Sequence, residues 1–174
     1  MLKRLWSTKR ADGSKFERRS LSNIELMSAE ADKGVNMKIS SKGRYALRMM
    51  IDIAEHSTGE WVTIRDISER QGISTKYLEQ IVTHLTKSRL LRSGRGPQGG
   101  YMLTRSPEEY TAGQILRAIE GDLAPVACLT DDVNQCDRNE YCQTLDFWKG
   151  LYKTIDHYVD SVTLQDLVNS DSKK

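Results

Sequence analysis

TIRDISERQGISTKYLEQIVTHL, residues 63–85, decides the fold. The stretch divides at Gln71-Gly72-Ile73. Thr63, followed three residues later by Asp66, resembles a helix-opening capping box with Asp in place of the usual Glu or Gln. The spacing predicts a short helix running to about Arg70. Gly72 is free to take the left-handed conformation that closes a helix. Ser74 then stands where the cap of a second helix belongs. In that helix Leu78, Ile81, Val82 and Leu85 recur at i, i+3, i+4, i+7 and predict a buried face. Thr75, Lys76, Glu79, Gln80 and Thr83 fall on the outer face. A short helix, a glycine turn and a second amphipathic helix make a helix-turn-helix.

The flanking sequence extends the motif. Leu90 to Ser93 and Tyr101 to Leu103 read as two short strands, joined by the glycine-rich turn Gly94 to Gly100. A hairpin directly after a helix-turn-helix is a wing. Arg95 sits at its tip between two glycines, a presentation that suits the narrow, electronegative minor groove. Upstream, Leu47, Met50, Ile51 and Ala54 predict one face of a preceding helix. Downstream, Thr111 to Gln114 resembles another capping box. Ala112, Ile115, Leu116 and Ile119 predict the inner face of its helix, closed by Gly121. A final long helix carries Leu145, Trp148, Leu151, Tyr152, Ile155, Val159 and Val162 on one stripe. With little core of its own left to cover, that stripe predicts pairing with the same helix of a second subunit.

The expected fold is therefore mainly α with a small β-hairpin wing: a winged helix-turn-helix plus a long C-terminal dimerisation helix. Five segments follow. Residues 1–36 form a flexible, polar N-terminal extension. Residues 37–121 form the DNA-binding domain. Residues 122–142 form a cysteine loop, 143–168 the dimerisation helix and C-terminal segment, and 169–174 a polar tail.

Charge fits this division. The chain of 174 residues carries a net +2, distributed as +3 over residues 1–36, +5 over 37–100 and −6 over 101–174. A basic module beside an acidic one suggests a polyanion-binding part joined to a part with another task. No run of apolar residues reaches membrane-span length, and charge interrupts the N-terminus at Lys3, Arg4, Lys9 and Arg10. No membrane is expected, and the cytoplasm is the default compartment.

In a helix-turn-helix the second helix enters the major groove of double-stranded DNA, N-terminal residues first. Here those are Thr75, Lys76, Tyr77, Glu79 and Gln80. Lys76 suits a phosphate or a guanine, Gln80 an adenine, and Glu79 the amino group of a cytosine. An acid facing DNA opposes the phosphate field, so Glu79 points to specificity more than affinity. Two copies on a twofold axis would read a palindrome.

The three cysteines are clustered. Seven residues separate Cys128 from Cys136, and five separate Cys136 from Cys142. An odd number cannot pair fully within one chain, and clustering reads as metal, cluster or redox chemistry. Thiolates on a loose polar loop suit an iron–sulfur cluster. A thiol switch, a zinc site and unliganded cysteines stay open, although the spacing lacks the short pairs of zinc ribbons.

From Met37 to about Asn169 the chain resembles the IscR/NsrR/CymR family of winged-helix transcription regulators, its IscR-like members above all. The matching stretches are Ser41-Lys-Gly-Arg-Tyr-Ala, Asp66 to Ser74, Tyr77-Leu-Glu-Gln, Arg95 to Tyr101, and Thr163-Leu-Gln-Asp-Leu-Val. The resemblance implies a homodimer with crossed long helices. It implies that Tyr77, Glu79 and Gln80 lie on the recognition helix and that Arg95 enters the minor groove. It also makes Cys128, Cys136 and Cys142 the ligands of a cluster whose state governs DNA choice, with Glu79 part of that choice. A 2Fe–2S cluster is the first expectation and a 4Fe–4S cluster the second.

Two departures stand out. The first cysteine interval is two residues longer than in IscR-like proteins. The histidine that they place three residues after the last cysteine is Leu145 here. The fourth ligand is then a carboxylate (Asp131, Asp132, Asp137, Glu140 or Asp146), a group from the second subunit, or a small molecule. A cluster-free regulator controlled by cysteine oxidation or a partner protein, as in CymR-like members, and an NsrR-like nitric-oxide sensor are the rival readings. An enzyme is not expected. The chain has no nucleotide-binding glycine fingerprint and no nucleophile–base arrangement, and no Gly-Lys-Ser/Thr follows Gly94 to Gly100.

Overall fold

The computed structural model describes residues 39–57, 59–96, 99–130, 134 and 136–171. The expected N-terminal extension, the wing-tip residues Pro97 and Gln98, the candidate ligands Asp131 and Asp132, and residues 172–174 of the expected tail lie outside them. Six helices and one two-stranded antiparallel hairpin build the described part.

Helix α1 spans Ser41–His56. Ser40 caps it: its Oγ accepts from the N–H groups of Lys42 and Gly43 at 3.1 and 3.2 Å. Its buried face corrects the sequence expectation. Ala46, Met49, Met50 and Ile53 are fully buried, whereas Leu47, Ile51 and Ala54 pack half-exposed against the core. The reason is coverage. Several other elements pack on this helix, so it buries a sector wider than one stripe, and the centre of that sector lies one position back.

Helix α2 (Ile64–Gln71) and helix α3 (Thr75–Lys87) form the helix-turn-helix. Thr63 Oγ1 accepts from Asp66 N–H at 3.2 Å. Among the described residues Asp66 returns no bond to Thr63, so the box is half made. Gly72 closes α2 at φ 64°, ψ 32°. Ser74 holds the cap position of α3, but its hydroxyl makes no cap bond. Its carbonyl instead accepts from Tyr77 and Leu78 N–H at 3.0 and 3.1 Å. Leu78, Ile81, Val82 and Leu85 are buried as expected. Each such burial is worth about 1.5–3 kcal/mol. An isolated helix of this length is marginal, so packing holds α3 together.

Strands β1 (Leu91–Gly94) and β2 (Gly100–Leu103) pair with Ser93 opposite Tyr101 and Gly94 opposite Gly100. Tyr101 also exchanges two backbone bonds with Val62, at 2.8 and 3.0 Å. That bridge ties the wing to the segment before α2. Buried Tyr110 pins the hairpin's exit: its hydroxyl donates to Leu90 O and accepts from the N–H groups of Thr104 and Arg105.

Helix α4 spans Ala112–Glu120 and ends at Gly121, φ 80°. Thr111 Oγ1 accepts from Gln114 N–H at 3.1 Å, but the Gln114 side chain turns away and accepts from Arg105 Nη2. Helix α5 spans Leu145–Ser161. Val162 lies beyond its end, which corrects the single long stripe: the chain breaks there and starts helix α6, Leu164–Asp171. Here the box is complete. Thr163 N–H donates to Asp166 Oδ2 at 2.9 Å, and Asp166 N–H donates to Thr163 Oγ1 at 3.0 Å. Leu164 is fully buried and anchors α6 in the domain core.

Candidate DNA-binding surface and cysteine loop

The outer face of α3 presents Thr75, Lys76, Glu79 and Gln80, all exposed. Among the described residues Glu79 joins no salt bridge, so its carboxylate is not tied to a surface cation. Tyr77 differs from the others. It is half-buried, and its ring stands edge-on to Tyr45 of α1, centroids 5.7 Å apart.

Tyr45 belongs to a chain of contacts that positions the motif and that the sequence reading missed. The Arg48 guanidinium lies 5.5 Å from the Tyr45 ring centre. It also donates to Gln71 Oε1 at 3.0 Å and to Gln71 O at 2.6 Å. Gln71 Nε2 donates to Asp52 Oδ2 at 3.0 Å, and Arg70 grips the same carboxylate through Nε and Nη2. Asp52 is fully buried in α1. A buried carboxylate needs a bidentate partner of this kind. The result fixes the α2–α3 turn against α1.

The wing is also fixed at its base. The Arg92 guanidinium lies 5.4 Å from the Trp61 ring centre. A Cβ at Gly94 would stand 2.7 Å from Trp61 Cε2, so only glycine lets the strand approach this ring. Arg95 follows directly and is exposed, with Gly96 at φ 102° beside it.

The cysteines lie between α4 and α5. Cys128 sits on the 3-10 turn Ala127–Leu129, and Cys142 follows the turn Asn139–Tyr141. All three thiols are unpaired; Cys136 is exposed and the other two half-exposed. The Thr144 hydroxyl, 3.5 Å from Cys142 Sγ, holds that thiol below its usual range. The N–H groups of Thr144 and Leu145 and the charge of Arg138 add to the effect. Among the described residues no three His, Cys, Asp or Glu side chains gather into a metal-holding group. The donor set itself suits an iron–sulfur cluster: three free thiols fall in the one stretch between α4 and α5. Leu145 offers no side-chain donor. Asp137, Glu140 and Asp146 are exposed nearby.

Polar contacts join this loop to α5, and α5 to α4. Asp122 Oδ1 accepts from Ala124 N–H and from the Tyr152 hydroxyl, both at 2.7 Å. Burial first, then the Asp122 bond, pushes the Tyr152 phenol up to about 12, so it stays protonated and keeps donating. Arg117 of α4 bridges Asp156 and Asp160 of α5 at 2.7 Å each. Gly113 stands so close to Asp160 that a side chain there would collide with it.

Helix-turn-helix, anchored wing and exposed outer face together define a winged-helix DNA-binding protein. The chain belongs to the Rrf2 family, whose model, described as an iron-dependent transcriptional regulator, matches residues 39–170. It is 40% identical over 134 residues to the HTH-type transcriptional regulator IscR of Pectobacterium carotovorum, covering 77% of this chain and 80% of that one. Among solved structures, CymR, the global cysteine regulator of B. subtilis, shares 33% identity at a TM-score of 0.63, over 76% of this chain and 97% of that one. IscR of T. potens shares 36% at 0.62, over 77% and 88%. The relatives are transcription regulators, and this chain is a DNA-binding regulator of that family, not an enzyme. No described helix is long and apolar enough to cross a membrane.

Proposed function

We propose that this protein is a homodimeric transcription regulator whose DNA binding follows the state of an iron–sulfur cluster held by Cys128, Cys136 and Cys142. The observation that carries the reading is the placement of three free thiols on one loop bonded directly to α5. When bound, the cluster supplies a redox- and ligand-sensitive centre. The chain's own residues do the rest. Tyr152 and Asp122 fasten the loop to α5, and Arg117 passes that position to α4 and so to the winged domain.

The dimer reading rests on α5, none of whose residues is buried within one chain. Phe147 and Tyr158 are 64% and 67% exposed, two aromatic rings on this helix that a second subunit would cover. On DNA, Thr75, Lys76, Tyr77, Glu79 and Gln80 face the major groove and Arg95 the minor groove. Iron–sulfur assembly or stress genes are the proposed targets.

The test is chemical. Protein purified without oxygen is assayed for visible absorption, iron and acid-labile sulfide. Wild type is expected to hold iron and sulfide in equal amounts. Replacing any one cysteine by Ala is expected to remove most of both while the chain stays folded. Normal iron and sulfide in all three variants would overturn the ligand assignment.

One observation favours a second reading. All three thiols are unpaired and open at least in part to solvent, Cys136 most of all, so an oxidant can reach them. Colourless protein, still empty after anaerobic reconstitution, would transfer control to thiol oxidation or a partner, as with CymR-like regulators.

A further inference from the structure

Glu120 is the last residue of α4, the wrong end of its own helix for a negative charge. Its carboxylate serves another helix instead. Glu120 Oε1 accepts from Ser40 N–H at 3.1 Å and from the Ser40 hydroxyl at 2.7 Å. That hydroxyl is the cap of α1, and it accepts in turn from Lys42 and Gly43 N–H. An ionised acceptor strengthens this relay, because it polarises the Ser40 oxygen toward the two amides. The residue beneath leaves room for it. A Cβ at Gly43 would collide with Glu120 Oε1, so a glycine in the first turn of α1 gives the carboxylate its place. Next in the chain is Gly121, whose φ of 80° side chains rarely adopt. Beyond it Asp122 accepts from the Tyr152 hydroxyl of α5. Two acids flanking one glycine thus fasten this junction to α1 on one side and to α5 on the other.

We propose that Glu120 is a positioning residue that carries the state of the cysteine loop to α1 and, through Tyr45, to Tyr77 of α3. The inference rests on the cluster-controlled reading above, and it adds a route that does not pass through Arg117. The links are short. Leu145 N–H, at the start of α5, donates to Cys142 O at 3.2 Å, so a loop that closes on a cluster moves the start of α5. Tyr152 then shifts Asp122, and Gly121 passes the turn to Glu120. With the carboxylate seated on Ser40, the first turn of α1 is capped. Tyr45 lies just past Gly43 and holds the Tyr77 ring edge-on. With the carboxylate withdrawn, that turn loses its relay and Tyr77 its fixed support.

The experiment uses the full chain, cluster-loaded and stripped of iron, titrated without oxygen against a duplex that wild type selects from a random-sequence pool. Iron and sulfide are assayed on each loaded sample, and hydrogen exchange follows the N–H groups of Lys42 and Gly43. The two wild-type forms are expected to differ about tenfold in affinity and to differ in protection of these amides. Glu120→Ala empties the seat, and Gly43→Ala pushes the carboxylate out of it. Both are expected to keep wild-type iron and sulfide while the affinities of the two forms come within about twofold. Gly43→Ala also favours the helix, so lost coupling there is not lost helix stability. Glu120→Gln keeps the acceptor and is expected to retain most of the difference. If Glu120→Ala fails to fold, Gly43→Ala decides. A wild-type difference that survives in either alanine variant would overturn the route alone, even where both forms weaken together. Equal amide protection in the two wild-type forms would also overturn it. So would loss of iron from Glu120→Ala, since Glu120 would then act on the cluster. Wild-type forms of one affinity would overturn the cluster-controlled reading and this route with it.

Discussion

Asp52 and Arg70 show how one pair positions a surface neither of them reaches. The carboxylate is 1% exposed and the guanidinium 33%. Removing either partner therefore has unequal consequences. Arg70→Ala removes the counter-charge of a buried carboxylate, leaves it the neutral Gln71 donor, and is expected to cost about 3 kcal/mol. Asp52→Ala leaves a guanidinium that water can reach, so its cost is expected to be smaller. Urea midpoints at unchanged denaturant slope would measure both, and the opposite order would contradict this account of the pair. The pair was readable in principle from the sequence. An acid in the apolar run Met49-Met-Ile-Asp-Ile-Ala signals a buried partner, but nothing local names Arg70. The exposed face of α3 was legible for the converse reason. Thr75, Lys76, Glu79 and Gln80 are placed by helical period alone, and period is a local property. Tyr77 is expected among the residues that meet base edges, and its ring packs edge-on against Tyr45 as well, because a tyrosine at the edge of a buried stripe fits either side.

Among the elements, the wing depends on a close approach more than on its hydrogen bonds. Gly94→Ala would press a methyl group into Trp61, an overpacking that costs about 1–3 kcal/mol. The strain is expected to be relieved by displacing the hairpin, which moves Arg95. The variant should therefore fold and bind the selected duplex more weakly, and adding Trp61→Leu should restore part of the loss. Unchanged affinity in Gly94→Ala would mean the wing tip does not set DNA binding. The capping signals were less dependable than the hydrophobic period. Thr63, Thr111 and Thr163 each precede a helix with a polar residue three positions on, yet only Thr163 completes the reciprocal bond. The pattern names the start of a helix, and the competing partners of the second residue decide the rest. Gln114 answers to Arg105, a contact no spacing rule contains.

At the scale of the molecule, two linked parts are visible: a packed winged domain and a helix none of whose residues is fully buried within one chain. The sequence expectation of one stripe through Val162 failed at Thr163. An apolar Val continues the helical period across the break, and only the Thr163–Asp166 box marks the new start. Leu164 then returns the chain to the core beside α1. The cysteine loop is the least legible part. Spacing identifies thiols that could share a cluster, but the ligand replacing histidine at Leu145 is not a local matter. The loop touches the winged domain through Asp122, Tyr152, α5 and Arg117, and that is the route by which a cluster held there would be coupled to DNA binding. The most direct measurement compares cluster-loaded protein with the same preparation stripped of iron, each titrated without oxygen against the duplex that wild type selects. The account predicts that the two forms differ in affinity, or in preference over a scrambled duplex, by about tenfold, a coupling of about 1.4 kcal/mol. Superimposable curves for the two forms would contradict it.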